Sequence, residues 1–258
     1  MAPGPAPAPS PGQGEGPAPL LIACALGIER FALRGGDFGE AAGPVTVLRT
    51  GMGPQAAERA VTRALAGGGA HGGGAARAAV IATGFCAGLA PGMHPGDLVV
   101  AEETRDGVGR TPCAGTAVLA GALTRLARAG PGRSTVHTGP LVGSGHVVRG
   151  AERARLHATG AIAVDMESAA TLRGAVAAGA RPVAAVRVIV DAPEHELVRI
   201  GTLRGGISAF RVLRTILPAF FAWHRSSLLP GGELDGHAAP TDHPGRDVSL
   251  RPESDQAS

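Results

Sequence analysis

Three carboxylates stand where three apolar, strand-like segments of the sequence end: Glu29, Glu167 and Asp191. The carboxyl ends of parallel strands meet at one edge of an α/β sheet, and such sheets bind their ligands there. A carboxylate in that place can accept two hydrogen bonds from a vicinal diol such as a ribose. An acid at the mouth of a buried strand tends to have a raised pKa, which suits a general acid. One strand-end acid is unremarkable, but three after three strands indicate a shared cleft.

Each acid also has a plain structural explanation. Asp165 and Glu167 precede a predicted helix, and the helix dipole favours negative charge at its N-terminus. Asp191 precedes Ala192 and Pro193, and aspartate is common in turns. The acids alone do not distinguish these structural roles from a binding cleft, so further evidence must come from the residues around them.

Small and apolar residues accompany the acids. The segment at 83–89 (Thr-Gly-Phe-Cys-Ala-Gly-Leu) directly follows the predicted strand Ala78–Ala82, and its glycines would let a ligand approach the backbone. Met166 lies between two acids and could pack against the face of a sugar. Cys86 has no evident general-base partner, so we do not expect a thiol nucleophile. The histidines are too widely spaced to suggest a metal site.

Alternating strand-like and helical segments must position these residues. The predicted strands are Leu20–Leu26, Val45–Leu48, Ala78–Ala82, Leu98–Ala101, Val136–Val142, Ala161–Val164 and Val183–Val190. The predicted helices are Pro54–Leu65, Thr116–Ala129, Ala151–His157, Glu167–Ala178 and a last stretch at 203–223. This alternation predicts a single α/β domain whose central, mixed and largely parallel sheet is flanked by helices. We expect it to span 20–225, between a disordered Pro/Gly-rich leader at 1–19 and a disordered acidic tail at 226–258.

The composition argues against several classes of protein. Three widely spaced cysteines exclude a disulfide scaffold, and no apolar run is long enough to cross a membrane. The N-terminus lacks the basic start and apolar stretch of a secretory signal, so we expect a cytoplasmic protein. All 24 basic residues are arginines, the net charge is +3, and only 3% of residues are aromatic. Because the arginines are dispersed and aromatic side chains are scarce, we expect no nucleic-acid partner.

Five segments, in this order, resemble the superfamily of purine nucleoside phosphorylases and methylthioadenosine/adenosylhomocysteine nucleosidases. They are the first strand with Glu29, Gly51-Met52-Gly53-Pro54, the segment at 83–89, Val164-Asp165-Met166-Glu167 and Arg187-Val188-Ile189-Val190-Asp191. The Thr-Gly-Phe-Cys and Val-Asp-Met-Glu-Ser sequences look most like the hopanoid-associated branch, whose members are assigned as phosphorylases that remove adenine from adenosylhopane. The resemblance implies a nucleoside phosphorylase-like fold and an adenine nucleoside, here a lipid nucleoside, as the small-molecule substrate.

The resemblance also implies roles for individual residues. Asp191 matches the acid that protonates purine N7, Glu167 the carboxylate that holds the ribose 2′ and 3′ hydroxyls, and Glu29 the residue that orients an attacking water. Met166 matches the residue beneath the sugar. The other residues that it places at the substrate are Val164, Asp165, Thr83, Gly84, Phe85, Cys86 and His146. The superfamily needs no metal or organic cofactor, and its members are homo-oligomers.

The nucleophile stays open between water and inorganic phosphate. Phosphorylases of the superfamily usually place an arginine and a serine around the Thr-Gly segment to grip phosphate, whereas this chain has Ala82 and Phe85. Glu29 favours water. Arg30 and Arg49 lie near the same strand ends and could still bind phosphate as a co-substrate.

The last helical stretch, 203–223, interleaves aromatic residues with arginines. We favour its packing on the sheet or at a subunit interface, as terminal helices do in this superfamily. The alternative is a peripheral contact with an anionic membrane, which would bring the enzyme to a lipid nucleoside. Two other functions stay open: a methylthioadenosine/adenosylhomocysteine nucleosidase of sulfur salvage, and a non-catalytic nucleoside-binding protein. The second is less favoured because Asp191 and Glu167 are both present.

Overall fold

An eight-stranded mixed sheet forms the centre of the molecule. The structure is a computed structural model and describes residues 16–66, 77–130, 134–192 and 202–229, with the side chains of 202–208 left aside. The strands are β1 Leu20–Cys24, β2 Val45–Arg49, β3 Ala79–Gly88, β4 Leu98–Arg105, β5 Arg110–Pro112, β6 Val136–Gly143, β7 Ala163–Asp165 and β8 Val183–Asp191. The helices are α1 Gly27–Arg34, α2 Pro54–Ala66, α3 Thr116–Ala129, α4 Ala151–Ala158, α5 Ser168–Ala177, α6 Thr202–Thr215 and α7 Leu217–Ser227.

The strands follow the order β2-β1-β3-β7-β6-β4-β5, and β8 lies between β3 and β4. Strand β1 is parallel to β2 and β3, and β3 is parallel to β8. Antiparallel pairing joins β3 to β7, β4 to β5 and β4 to β8. Because β6 pairs with both β4 and β7, the strands β3, β8, β4, β6 and β7 close into a ring. The predicted single α/β domain with a mixed sheet flanked by helices is confirmed.

Strand β1 shows how the sequence builds the two faces of this sheet. Successive side chains of a strand point to opposite faces, so Leu20 and Ile22 enter one apolar cluster while Leu21 and Ala23 enter the other. Helices α1, α3, α6 and α7 cover the first cluster, and α2 and α5 cover the second. Burial on both faces explains why these strands read as continuous apolar runs.

The C-terminal stretch packs on the sheet, as favoured. It forms two helices rather than one, and they separate near Pro218, whose ring cannot continue a preceding helix. Phe220 and Trp223 are fully buried, and the indole Nε1 of Trp223 donates a hydrogen bond to the carbonyl of Ala114 at 2.7 Å. These aromatic side chains, which suggested a membrane contact, lie in the core, and the peripheral membrane contact of this stretch stays a prediction. None of the helices in the described ranges has the length and hydropathy needed to cross a membrane.

Three details differ from the predicted elements. Strand β3 runs on to Gly88, beyond the predicted strand end at Ala82, because β8 pairs along one side of it and β7 along the other. Helix α1 and strand β5 were not predicted. The ordered part begins before residue 20, since Ala18 is buried and the carbonyl of Pro19 accepts a hydrogen bond from the Ala79 N–H. The predicted disordered residues 1–15 and 230–258 lie outside the described residues.

Candidate active site

A cleft of about 240 Å³ lies where β1, β7 and β8 end and along the last part of β3. Nine residues singled out from the sequence line it: Glu29, Phe85, Cys86, His146, Val164, Asp165, Met166, Glu167 and Asp191. Seven further residues complete the lining: Ala25, Leu26, Met52, Ala87, Val147, Val148 and Val190. The three strand-end carboxylates therefore face one cavity whose remaining walls are mainly apolar.

Glu29 is buried and held by backbone donors. It lies in the first turn of α1, and its Oε2 accepts hydrogen bonds from the N–H groups of Ala25 at 2.9 Å and Leu26 at 2.8 Å. Its Oε1 accepts one from the N–H of Phe85 at 2.9 Å. A carboxylate has about four lone-pair sites, so Oε1 keeps one acceptor position for a further partner.

Gly84 explains why β3 carries glycine beside this carboxylate. Its φ is +132°, and a Cβ at this position would lie 2.7 Å from both the Glu29 Cδ and the Arg187 Nη1. Neither Gly84 nor Thr83 lines the cleft. Thr83 is fully buried, and its carbonyl accepts a hydrogen bond from Arg187 Nη1 at 2.8 Å. The two residues therefore support the site from behind, where the resemblance had placed them at the substrate.

Arg187 is the functional residue that the sequence reasoning missed. It is 1% exposed in the middle of β8, where its Nη2 lies 2.5 Å from Asp165 Oδ2 and its Nε donates to Ser168 Oγ at 2.8 Å. Burial opposes its charge, but the carboxylates of Asp165, Glu167 and Glu29 outweigh burial and raise the pKa of Arg187. A lone arginine in the apolar run 183–190 was the available signal. Its guanidinium supplies the positive charge that offsets the repulsion among Asp165, Glu167 and Glu29.

Asp165 and Glu167 have different surroundings although one residue separates them. Asp165 pairs with Arg187 and accepts a hydrogen bond from the Ser168 N–H at 3.1 Å, so it caps α5 as the plain structural explanation expected. Glu167 Oε1 accepts from the Gly53 N–H at 2.8 Å. Burial raises the pKa of Glu167 in spite of the opposing charge of Arg187 and the Gly53 hydrogen bond.

Asp191 lines the cleft at the end of β8. Its Oδ2 lies 2.5 Å from Nη2 of Arg153, a buried residue of α4. The aspartate side chain keeps 15% of its surface exposed. The acid that the resemblance assigns to purine N7 thus pairs with Arg153 and also lines the cavity.

His146 lies at the rim and is largely exposed. Its Nε2 is 3.0 Å from both carboxylate oxygens of Glu152, which belongs to the first turn of α4. Two neighbouring lining residues, Met52 and Val147, are also exposed, at 71% and 63%. Among the described lining residues, the exposed ones at the mouth of the cleft are therefore apolar except for this histidine.

Cys86 is buried in the wall of the cleft. Burial, with the charge of Asp165 adding to it, raises the pKa of the Cys86 thiol. A protonated, buried thiol is a poor nucleophile, so the structure agrees with the expectation that this cysteine does not attack substrate.

Arg30 and Arg49 lie elsewhere. Together with Arg34 they line a second cavity beside β2, and that cavity shares no lining residue with the cleft. Their assignment to a co-substrate phosphate stays a prediction, and the described chain does not bring them to the three acids.

A model of the phosphorylase superfamily matches residues 29–217, which contain every residue that lines the cleft except Ala25 and Leu26. The chain belongs to the phosphorylase superfamily. No curated protein matches the sequence significantly.

Comparison with solved structures shows which proteins share the fold of this phosphorylase-superfamily member. The chain is similar to 5′-methylthioadenosine/S-adenosylhomocysteine nucleosidase from Neisseria meningitidis in complex with methylthio-immucillin-A, with 21% identity, a TM-score of 0.59 and coverage of 78% of this chain and 98% of that one. S-adenosylhomocysteine nucleosidase from Streptococcus pyogenes in complex with 5-methylthiotubericidin shares 18% identity, with a TM-score of 0.59 and coverage of 79% and 97%. A Borrelia burgdorferi protein described as a nucleosidase of this kind and bound to adenine shares 16% identity, with a TM-score of 0.58 and coverage of 77% and 99%. At these identities the likeness establishes a common fold.

Proposed function

We propose that the chain cleaves the N-glycosidic bond of an adenine nucleoside and releases adenine. The observation that carries this proposal is the convergence of Glu29, Glu167 and Asp191 on one apolar-walled cleft in a phosphorylase-superfamily fold. Breaking such a bond creates positive charge on the ribosyl ring and a purine that must take a proton to leave easily. Carboxylates on either side of the ring meet both needs.

Asp191 is the proposed acid. Asp191 is ion-paired with Arg153 in the free chain, so its carboxylate first takes up a proton from solvent. As the C1′–N9 bond breaks, its electron pair passes to the purine, and this proton moves from Asp191 to N7. Adenine leaves neutral and Asp191 becomes a carboxylate. Its position at the end of β8, with part of the side chain exposed to the cavity, fits this transfer.

Glu167 is the proposed ribose ligand. One of its oxygens accepts the Gly53 N–H, which leaves the other to accept from the 2′ and 3′ hydroxyls. Its buried negative charge attracts the cationic ring of the transition state more strongly than the neutral ribose of the substrate. Met166, which lines the same wall, supplies an apolar surface for the sugar.

Water is the proposed nucleophile. Glu29 keeps an acceptor position on Oε1 that can orient a water toward C1′ and take its proton. Within the described residues, no arginine lines the cleft, whereas four carboxyl groups do, so a phosphate dianion would meet no cationic side chain in this lining and would be repelled there. These features favour hydrolysis over phosphorolysis.

For the substrate we propose adenosylhopane, in hopanoid biosynthesis. The sequences at 83–86 and 164–168 support it through their resemblance to the hopanoid-associated branch. The exposed Met52 and Val147 at the rim also suit a long apolar 5′ substituent that leaves the cleft. The alternative is methylthioadenosine or adenosylhomocysteine in sulfur salvage, which the solved nucleosidases of the same fold favour.

The test is adenine release by the full chain. It is incubated with adenosylhopane in detergent and separately with methylthioadenosine, each with and without inorganic phosphate. We expect release from adenosylhopane without phosphate. Release from methylthioadenosine alone would move the protein to sulfur salvage, and strict dependence on phosphate would contradict water as the nucleophile. Binding of either nucleoside with no release would make the chain a binding protein.

A further inference from the structure

Arg153 is a buried arginine on a helix that is otherwise partly or fully exposed. Only 5% of its surface is exposed, whereas Arg155, two residues later on α4, is exposed. Its Nη2 holds Asp191 Oδ2 at 2.5 Å across a sequence separation of 38 residues. The preceding residue, Glu152, holds His146 at the rim. The first turn of α4 is therefore tied to two residues of the cleft.

Stability does not explain this arginine. In the described part of the chain, the buried Nε and Nη1 of Arg153 have no hydrogen-bond partner. A buried guanidinium with unsatisfied N–H groups is costly, and replacing a buried ion pair with apolar residues is often neutral or stabilising. A role at Asp191 accounts for a charge that packing does not require.

We propose that Arg153 is the positioning residue for the acid Asp191, an inference that rests on the proposed function. Arg153 fixes the carboxyl group at the wall of the cleft. When the C1′–N9 electron pair passes to the purine and N7 takes the Asp191 proton, the new carboxylate faces the guanidinium. The attraction is greater for this anion than for the neutral acid. In the complex in which Asp191 carries the proton, it therefore lowers the barrier to proton transfer rather than strengthening substrate binding.

The test compares two leaving groups on the same 5′-substituted ribose. Adenine needs a proton from the enzyme, whereas 4-nitrophenolate leaves without one. For Arg153→Met we expect kcat for adenine release to fall about 100-fold, within the range of lost general-acid catalysis, with KM nearly unchanged. Cleavage of the 4-nitrophenyl riboside should fall less than about threefold. Guanidinium at low millimolar concentration should restore part of the adenine release, and Arg153→Lys should retain more activity than Arg153→Met.

Arg155→Met is the matched control, because it removes an exposed arginine from the same helix. Equal losses on both substrates with no guanidinium rescue would show a merely structural role and overturn the proposal, as would an effect no larger than that of Arg155→Met. If the wild-type chain released no adenine, both the proposed function and this inference would fail. Wild-type release with a fully active Arg153→Met variant would overturn the inference alone.

Discussion

The substitution Gly84→Ala tests whether the placement of Glu29 controls the reaction. A Cβ on residue 84 would lie 2.7 Å from Glu29 Cδ and 2.7 Å from Arg187 Nη1, and closer still to Glu29 Oε1, whereas ordinary contacts begin at 3.4 Å. The carboxylate must therefore move by about 0.7 Å or more, away from the Phe85 N–H. The positive φ of +132° adds backbone strain.

We expect Gly84→Ala to lower kcat for adenine release by about 100-fold, because a displacement near 1 Å at a catalytic group costs about that much. Backbone strain should lower the free energy of unfolding by about 1–3 kcal/mol. Steady-state adenine release and urea unfolding measure the two effects.

Gly92→Ala separates strain from displacement. Gly92 also has a positive φ, +76°, but a Cβ there would meet nothing within 4 Å. It should lose stability to a similar degree and keep its kcat. If the Gly84→Ala variant released adenine as fast as the Gly92→Ala variant, the position of Glu29 would not control the rate, contrary to this prediction.

Three further predictions address other parts of the account. Glu167→Gln should lower kcat about 10²–10³-fold, the usual loss when transition-state charge stabilisation is removed. Because burial raises the pKa of Glu167, the substitution should also stabilise the fold at pH 7, and this gain should disappear below the ordinary glutamate pKa of about 4.3. Urea unfolding of both proteins at pH 7 and pH 4 measures the change in stability. The thiols of Cys24, Cys86 and Cys113 are all buried, and burial raises their pKa values, that of Cys24 to about 12. None of the three should therefore react with a thiol reagent at pH 8 until denaturant is added. Rapid labelling of the native protein would contradict their burial. Trp223→Ala should cost about 3–5 kcal/mol of unfolding free energy without changing sedimentation with anionic vesicles, since the indole is in the core. A loss of vesicle binding would contradict this and favour the membrane contact of the helix.

The sequence predicted the cleft better than it predicted what holds the cleft together. Strand-end acids were expected together because the carboxyl ends of parallel strands share one edge, and Glu29, Glu167 and Asp191 do line one cavity. That reason holds for β1 and β8, whereas β7, which precedes Glu167, is antiparallel to β3 and reaches the cleft by pairing with the last part of β3. Their partners come from distant positions. Arg153 pairs with Asp191, which is 38 residues later in the sequence, and no local pattern on α4 predicts this pair.

Strand β3 shows a second limit. The segment at 83–88 is rich in glycine and alanine, which local propensity places in loops, yet pairing with β7 and β8 keeps it in the sheet. Its glycine is required by the approach of Glu29, a contact with a residue more than fifty positions away. The extension of β3 and its glycine beside Glu29 both depend on tertiary contacts, and the local sequence pattern does not contain these contacts.

The central claim is that the cleft breaks an N-glycosidic bond. Adenine released from adenosylhopane and from methylthioadenosine by the full chain, measured beside its Asp191→Asn variant, tests this most directly. We expect adenine and a free ribosyl product from at least one substrate, with the rate falling about 10²–10⁴-fold in the variant because the proton donor is lost. A wild-type chain that binds these nucleosides and leaves them intact, or an Asp191→Asn variant that works at the wild-type rate, would contradict it.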